Sequence, residues 1–371
     1  MDVISLTQKL ISFNTVDPPG NEAPAARYIG ELLDAHGFKV EYSVYGENRL
    51  HIVAEKGLNS SCSPIILSGH LDTVPAGAGK WDDDPFIASI KGDRLYGRGS
   101  SDMKSGIAAM IIASISAFED SRPVAGLRLI FTSAEENGCQ GCRQMIQSYR
   151  DLGRASGIIV GEPTGNIPAI GHKGALYLKA VTSGKTAHSS MPHLGDNAIY
   201  KAARAITKIE NLKFTVEKDP LLGFPTMNVG KISGGLNINS VPEHTEFTID
   251  IRSTRYLDHI GFLDHLREEL GPETSLEKLV DLGPVYSSAN NPFIQTVYKV
   301  CMEFGISPEN PQSMPYVTDG SVLQPFYKGV PTIILGPGQP EMAHKMNEFC
   351  YISRLQEAVD IYKKIILTWK P

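Results

Sequence analysis

Five short stretches scattered along 371 residues each set an acidic or imidazole side chain where a metal ion could use it. They are Ser-Gly-His70-Leu-Asp72, Ser-Asp102-Met-Lys, Ser-Ala-Glu135-Glu136-Asn, Gly-Glu162-Pro-Thr and Ala-His344-Lys-Met-Asn. Residues i and i+2 of an extended segment face the same side, so His70 can bind a cation while the Asp72 carboxylate fixes the ring's orientation. Asp102 lies between a Gly-rich turn and an apolar helix, where it can cap that helix; its two oxygens equally suit a place between two ions. Adjacent carboxylates point in different directions, so of Glu135 and Glu136 one can hold a metal while the other faces substrate and moves protons. Glu162 and His344 complete a set in which each of two ions has one imidazole and one terminal carboxylate, with Asp102 shared. Nitrogen and oxygen donors without cysteine suit zinc, or cobalt or manganese by the same chemistry. The set argues for an enzyme and for hydrolysis.

Such residues need a frame that brings them together. Apolar periodicity predicts helices over residues 4 to 13 and 24 to 36. Phe38 to Tyr45, Ile65 to Leu67, Leu127 to Phe131 and Gly157 to Val160 read as strands. Ser105 to Phe118 reads as an apolar helix and Arg143 to Tyr149 as an amphipathic one. Strands alternating with helices of this length predict an α/β fold with a mainly parallel sheet flanked by helices. His70, Glu135, Glu136 and Glu162 each follow a strand-like run by a few residues, and ligand sites of open α/β sheets gather at strand carboxyl ends. The character changes near Gly174 and changes back near Gly283. Between them, strands at Ala175 to Thr182, Met227 to Ile232 and Glu246 to Arg252 accompany helices at Asn197 to Ile209 and His259 to Leu270, a small α+β module. Apolar runs resume at Phe293 to Phe304, Thr332 to Leu335 and Leu355 to Leu367, and His344 belongs to them. The expected organisation is a catalytic domain of residues 1–173 and 284–371 with a module of 174–283 inserted.

Composition narrows the partners. A net charge of -6 with dispersed lysines and arginines gives no footprint for a nucleic-acid backbone or an anionic membrane, which leaves a small-molecule substrate. The first residues lack the basic start and apolar run of a secretory signal, and no apolar stretch approaches the roughly 20 residues of a membrane span, so a cytoplasmic protein is expected. Five cysteines, an odd number without framework spacing, fit a reducing compartment. Cys139-Gln-Gly-Cys142 has the spacing of a redox or zinc pair but no second pair; it also reads as small residues at a turn into a helix.

Ser-Gly-His70-Leu-Asp72-Thr-Val-Pro, Leu-Tyr-Gly-Arg-Gly-Ser-Ser-Asp102-Met-Lys-Ser-Gly, Glu135-Glu136 and Gly-Glu162-Pro-Thr resemble, in order and spacing, the motifs of the M20 metallopeptidase family. That family includes acetylornithine deacetylase, succinyl-diaminopimelate desuccinylase, aminoacylase and glutamate carboxypeptidase. The resemblance implies His70, Asp102, Glu136, Glu162 and His344 as metal ligands with Asp102 bridging, Asp72 as the residue orienting the first histidine, and Glu135 as general base and acid. It implies that the inserted module is a ferredoxin-like lid and dimerisation domain of a homodimer. His188, in Gly-Lys-Thr-Ala-His-Ser-Ser, would then reach the partner subunit's site to stabilise the oxyanion, and Asn239 and Arg252 would hold the substrate's carboxylate or carbonyl.

His172-Lys173-Gly174, Ala-His188-Ser-Ser and Pro225-Thr-Met-Asn-Val-Gly look most like acetylornithine deacetylase, whereas Thr318-Asp319-Gly320 and Ala343-His344-Lys-Met-Asn-Glu look closer to the desuccinylase. Ser321 stands where the desuccinylase pattern carries an arginine, which removes a cation that a second carboxylate would meet. Lys173 and Gly320 complete the candidate substrate contacts. The expected reaction removes a short acyl group, acetyl or succinyl, from the α-nitrogen of an amino acid. A carboxypeptidase or dipeptidase is the rival, and a catalytically silent amino-acid-binding homologue the alternative from another class.

Overall fold

The computed structural model describes residues 1–59, 61–121, 123–149, 152–307 and 309–371. Its contacts divide the chain into two compact units, one of Met1–Gly171, Val285–Met314 and Thr318–Pro371, the other of His172–Pro284 with Pro315–Val317.

The larger sheet of the first unit runs in the order Lys39–Gly46, Arg49–Lys56, Leu127–Thr132, Ile65–His70, Gly157–Val160, Thr332–Ile334, Ala169–His172, Val285–Tyr286. Its four middle strands are parallel, and antiparallel pairs flank them. Leu127–Thr132, Ile65–His70 and Gly157–Val160 are buried along their whole length, as expected of strands covered on both faces. The sequence reading missed the strand Arg49–Lys56. Its buried stretch starts at Arg49, whose guanidinium is neutralised by Asp17 at 2.6 Å and Glu22 at 2.5 Å, so a charge sits where an apolar residue would have marked the strand.

The helix Lys104–Asp120 buries residues around its whole circumference, among them Ile107, Met110, Ile111 and Ile115. Each such side chain contributes roughly 1.5–3 kcal/mol on removal from water, and the long helix Ile352–Thr368 packs alongside. Gly106 sits in it for a steric reason: a Cβ there would lie 2.3 Å from the Gly161 carbonyl oxygen. That close approach seats the helix directly against the turn that carries Glu162.

In the second unit a four-stranded antiparallel sheet runs in the order Thr226–Gly234, His244–Ser253, Gly174–Ser183, Thr274–Leu282. With helices Ala198–Asn211 and His259–Leu270 between strands, this is the βαββαβ ferredoxin-like arrangement. Leu176, Leu178, Phe247, Ile249, Ile251, Phe262 and Leu266 fill the space under the helices. Both helices start as their sequences dictate: Asn197 accepts from the Tyr200 amide, and Asp258 from those of Ile260 and Gly261. The strand Thr274–Leu282 had no expectation, because its central Glu-Lys faces solvent and breaks the apolar run. Among the described residues no helix is long and apolar enough to cross a membrane.

Candidate metal centre

Strand register brings the acidic segments to one edge of the sheet. His70 is the last residue of its strand and pairs with Thr132; Ser68 pairs with Val160, so Glu162, two residues further on, comes level with His70. Glu135 and Glu136 follow Thr132 after a turn in which Ala134 takes a φ of 58°, a left-handed conformation that non-glycine residues rarely adopt. His344, on a loop, has a φ of 63°.

Asp102 lies between two histidines. Its Oδ1 is 3.1 Å from His70 Nε2 and its Oδ2 is 3.5 Å from His344 Nε2. Glu162 Oε1 is 3.7 Å from His70 Nε2, and Glu136 Oε2 is 3.0 Å from His344 Nε2. Two groups result, His70–Asp102–Glu162 and Asp102–Glu136–His344, each with its donor atoms within 4.8 Å of one another. Oxygen and nitrogen ligands about 2.1 Å from a tetrahedral ion stand about 3.4 Å apart, so both groups fit a divalent cation with little adjustment. A buried Glu136 Oε1 without a hydrogen-bond partner agrees with that fit. Asp102 does not cap the following helix; the cap position falls on Met103.

Asp72 meets the His70 ring chiefly through its backbone, and its carboxylate also serves the next turn. His70 Nδ1 bonds the Asp72 backbone carbonyl at 2.9 Å, while the carboxylate oxygen is 3.7 Å away. A carbonyl only accepts, so Nδ1 carries a proton and the ring presents Nε2 to Asp102 and Glu162. The carboxylate accepts the backbone N–H of Glu135 and of Glu136, each at 3.1 Å, and pins the turn that aims both side chains.

Sequence reading missed Glu348. Fully buried, it accepts the N–H groups of Gly99 (3.0 Å), Ser101 (2.8 Å) and Asp102 (3.0 Å) and an Arg98 Nη1–H at 2.6 Å. It thereby holds the loop that presents the shared carboxylate. The available signal was an acidic residue four positions after His344, directly before an apolar strand. Asn137 was missed too; its amide donates to Asp17 Oδ2 at 2.6 Å and anchors the far side of the Glu135–Glu136 turn.

Burial dominates the electrostatics. It pushes the Glu135 carboxyl well above its usual range and Glu162 up to about 8. Burial would lower His70, but the charge of Glu162 and the hydrogen bond donated to Asp102 outweigh it and hold the imidazole well above its ordinary value. Asp102 goes the other way: burial opposes ionisation, yet the bond from His70 and its charge keep the carboxylate below its usual range. This density of buried anionic groups favours protons in the absence of a cation, and a divalent ion would take their place.

The remaining candidates are spread over both units. Gly320 opens the short helix Gly320–Phe326, is buried, and donates its N–H to Thr318 Oγ1 at 3.0 Å. In the second unit His188 is exposed, with Nδ1 2.7 Å from Ser190 Oγ, and Asn239 is exposed beside it in the chain's fold, accepting the Ser189 N–H at its carbonyl. The Arg252 guanidinium pairs with Asp250 at 2.8 Å and lies over the Tyr177 ring at 5.1 Å. Lys173 donates to the Phe224 carbonyl at 2.6 Å. His172 is buried and, for that reason, held at about 4, so it is neutral near pH 7 and adds no positive charge beside Lys173.

A mainly parallel sheet with two imidazole–carboxylate clusters sharing one aspartate at its carboxyl edge has the form of a metallohydrolase of amide bonds. The chain belongs to peptidase family M20/M25/M40, whose sequence profile matches residues 66–368. It is 30% identical over 399 residues to a probable succinyl-diaminopimelate desuccinylase of Staphylococcus aureus (strain MRSA252), covering 97% of this chain and 96% of that one. It is 28% identical to an acetylornithine deacetylase of Aliivibrio salmonicida (strain LFI1238), with the same coverage of 97% and 96%. Its fold matches that of the M20 family metallo-carboxypeptidase Sso-CP2 of Sulfolobus solfataricus with a TM-score of 0.83 at 20% identity over 99% of both chains.

Proposed function

We propose that this amidohydrolase uses two divalent ions, zinc foremost, to remove a short acyl group, acetyl or succinyl, from the α-nitrogen of an amino acid. The observation that carries the reading is the Asp102 carboxylate with one oxygen toward each histidine, at 3.1 and 3.5 Å. His70 and Glu162 would hold one ion, His344 and Glu136 the other, with Asp102 common to both. When bound, the ions would polarise the amide carbonyl and acidify an attacking water. Glu135 takes a proton from that water and delivers it to the departing nitrogen; its burial favours the protonated form it must pass through. Arg252 would hold the free carboxylate, assisted by Asn239 and Lys173, with Gly320 lining the acyl side. His188, reaching across a homodimer from a module of residues 174–283, would donate to the oxygen on which charge develops.

The resemblance to desuccinylase and deacetylase relatives supports the acyl-amino-acid substrate. The fold match to a carboxypeptidase favours, as a second reading, cleavage of a peptide bond next to a C-terminal residue. Steady-state hydrolysis of N-acetylornithine, N-succinyl-diaminopimelate and a dipeptide panel, using metal-stripped protein before and after zinc is restored, separates the two. Zinc-dependent turnover of an acyl substrate is expected, turnover of dipeptides alone selects the peptidase, and no turnover of any overturns both. In the same assay H188A should retain metal and fold while kcat falls about 10²–10³-fold, the usual loss for an oxyanion donor; full activity removes His188 from the mechanism.

A further inference from the structure

The Cys139-Gln-Gly-Cys142 pair takes no part in the hydrolysis proposed above, yet it faces the same residue that performs it. Cys139 precedes the helix Gln140–Ser148 in a left-handed conformation, and Cys142 lies in the first turn of that helix. Both are fully buried. Cys139 Sγ lies 3.4 Å from Glu135 Oε1, and Glu135, Cys139 and Asp319 bring donor atoms within 4.8 Å of one another. Asp319, 1% exposed, accepts from Thr132 Oγ1 through Oδ2 at 2.5 Å. Its Oδ1 is buried without a formed hydrogen bond, although both thiols border the carboxylate. One sulfur and two carboxylates thus meet at one buried point, with the Cys142 thiol beside the Asp319 carboxylate.

We propose that Glu135, Cys139, Cys142 and Asp319 form a further metal site, distinct from the two His-containing clusters, which takes a thiophilic divalent ion such as cadmium and stops turnover by capturing Glu135. The donor chemistry sorts the ions: clusters of imidazole and carboxylate suit the catalytic cations, whereas a pair of thiolates selects softer ones. A sulfur–oxygen separation of 3.4 Å is close to what a tetrahedral ion imposes on its ligands. Glu135, at 8% the most exposed of the four, marks the way in. As the ion binds, each sulfur gives up its proton to solvent, and nothing is oxidised. Burial, then the neighbouring carboxylate charge, pushes both thiols well above their ordinary range, so occupancy should rise with pH.

The inhibitory part rests on Glu135 being the general base; binding itself does not. Zinc-loaded protein titrated with cadmium should develop thiolate-to-cadmium charge-transfer absorption in the ultraviolet. That band should persist in C62S, which removes the one incompletely buried cysteine, and vanish in C139S and in C142S, either of which serves if the other fails to fold. No band in the unaltered protein, or an undiminished band in C139S or C142S, overturns the site. Half-inhibition of C142S should need roughly tenfold more cadmium than the parent; equal sensitivity with the band lost overturns the inhibitory role while leaving the binding site. Absence of hydrolysis with the band present would instead count against the proposed function.

Discussion

The His70 half of the candidate metal centre is built from strand ends, and the His344 half from loops. His70 is 1% exposed, its ring fixed by the Asp72 carbonyl and its strand paired on both sides. The His344 side chain is 56% exposed and stands on a left-handed residue of an irregular segment. Asp102 is common to both, and Glu348 grips the loop behind it. A ligand set on strands is preorganised, whereas one on a loop must be ordered as the ion arrives, at a cost in conformational entropy. The two halves should therefore hold their ions unequally, with the His70 side tighter.

The largest effect tests whether proton transfer is separate from both halves. E135Q should cut turnover by about 10²–10⁴-fold while the metal content of the protein, measured by elemental analysis, stays unchanged; loss of metal would make Glu135 a ligand and erase the distinction from Glu136. The contrast itself is tested next. H344A should lose one ion on dialysis and keep its thermal midpoint, whereas H70A should lose more metal and also stability, because Asp102 and Glu162 are left buried without their partner. Equal metal loss and equal stability in the two variants would abolish the asymmetry. Further down, E348Q should lower metal affinity about 10–100-fold, as removal of an outer hydrogen-bond partner does, and should weaken both ions together because it acts through Asp102. Weakening of one ion alone would show that the shared carboxylate is held by something else.

The smallest effect is one of pH on the metal-stripped protein. Burial raises Glu162 to about 8, Glu348 to about 7 and Asp319 to about 6, from ordinary values of 4.5, 4.5 and 3.8. Folded protein then binds protons that the unfolded chain has released, so the stability these three acids contribute is fullest below about pH 4 and is lost as pH rises through about 8. Bound metal should flatten this decline. Thermal midpoints of stripped and loaded protein at about pH 5 and about pH 8 measure it, and a stripped protein equally stable at both would contradict the placement of these acids.

The two halves also differed in how well the sequence exposed them. His70, Glu135 and Glu162 follow short, mostly apolar strands, so their meeting at the sheet edge was legible from pattern alone. Asp102 and His344 were legible only as motifs, because the contacts that place them come from residues distant in sequence, Glu348 for the one and Glu136 for the other. Arg49–Lys56 and Thr274–Leu282 escaped for a related reason. A strand whose charge is neutralised by a remote partner, or whose outer face is charged, loses the local apolar signal on which strand assignment rests. The Asp72 carboxylate stands beside the ring two residues away, and it also serves the Glu135 and Glu136 amides in the turn after the neighbouring strand, a contact that only register decides.

The wide separation of the ligands along the chain has a temporal side. All the proposed ligands of the first ion exist once Glu162 has been synthesised, and residues 65–160 already supply the three adjacent parallel strands that position His70 and Glu162, while Glu348, which holds Asp102, is still to come. The proposed second ion waits for His344, after the whole of residues 172–284 has been made. During synthesis the two proposed ligand sets are therefore completed in a fixed succession, and the Glu348 brace on their shared aspartate arrives only with the second.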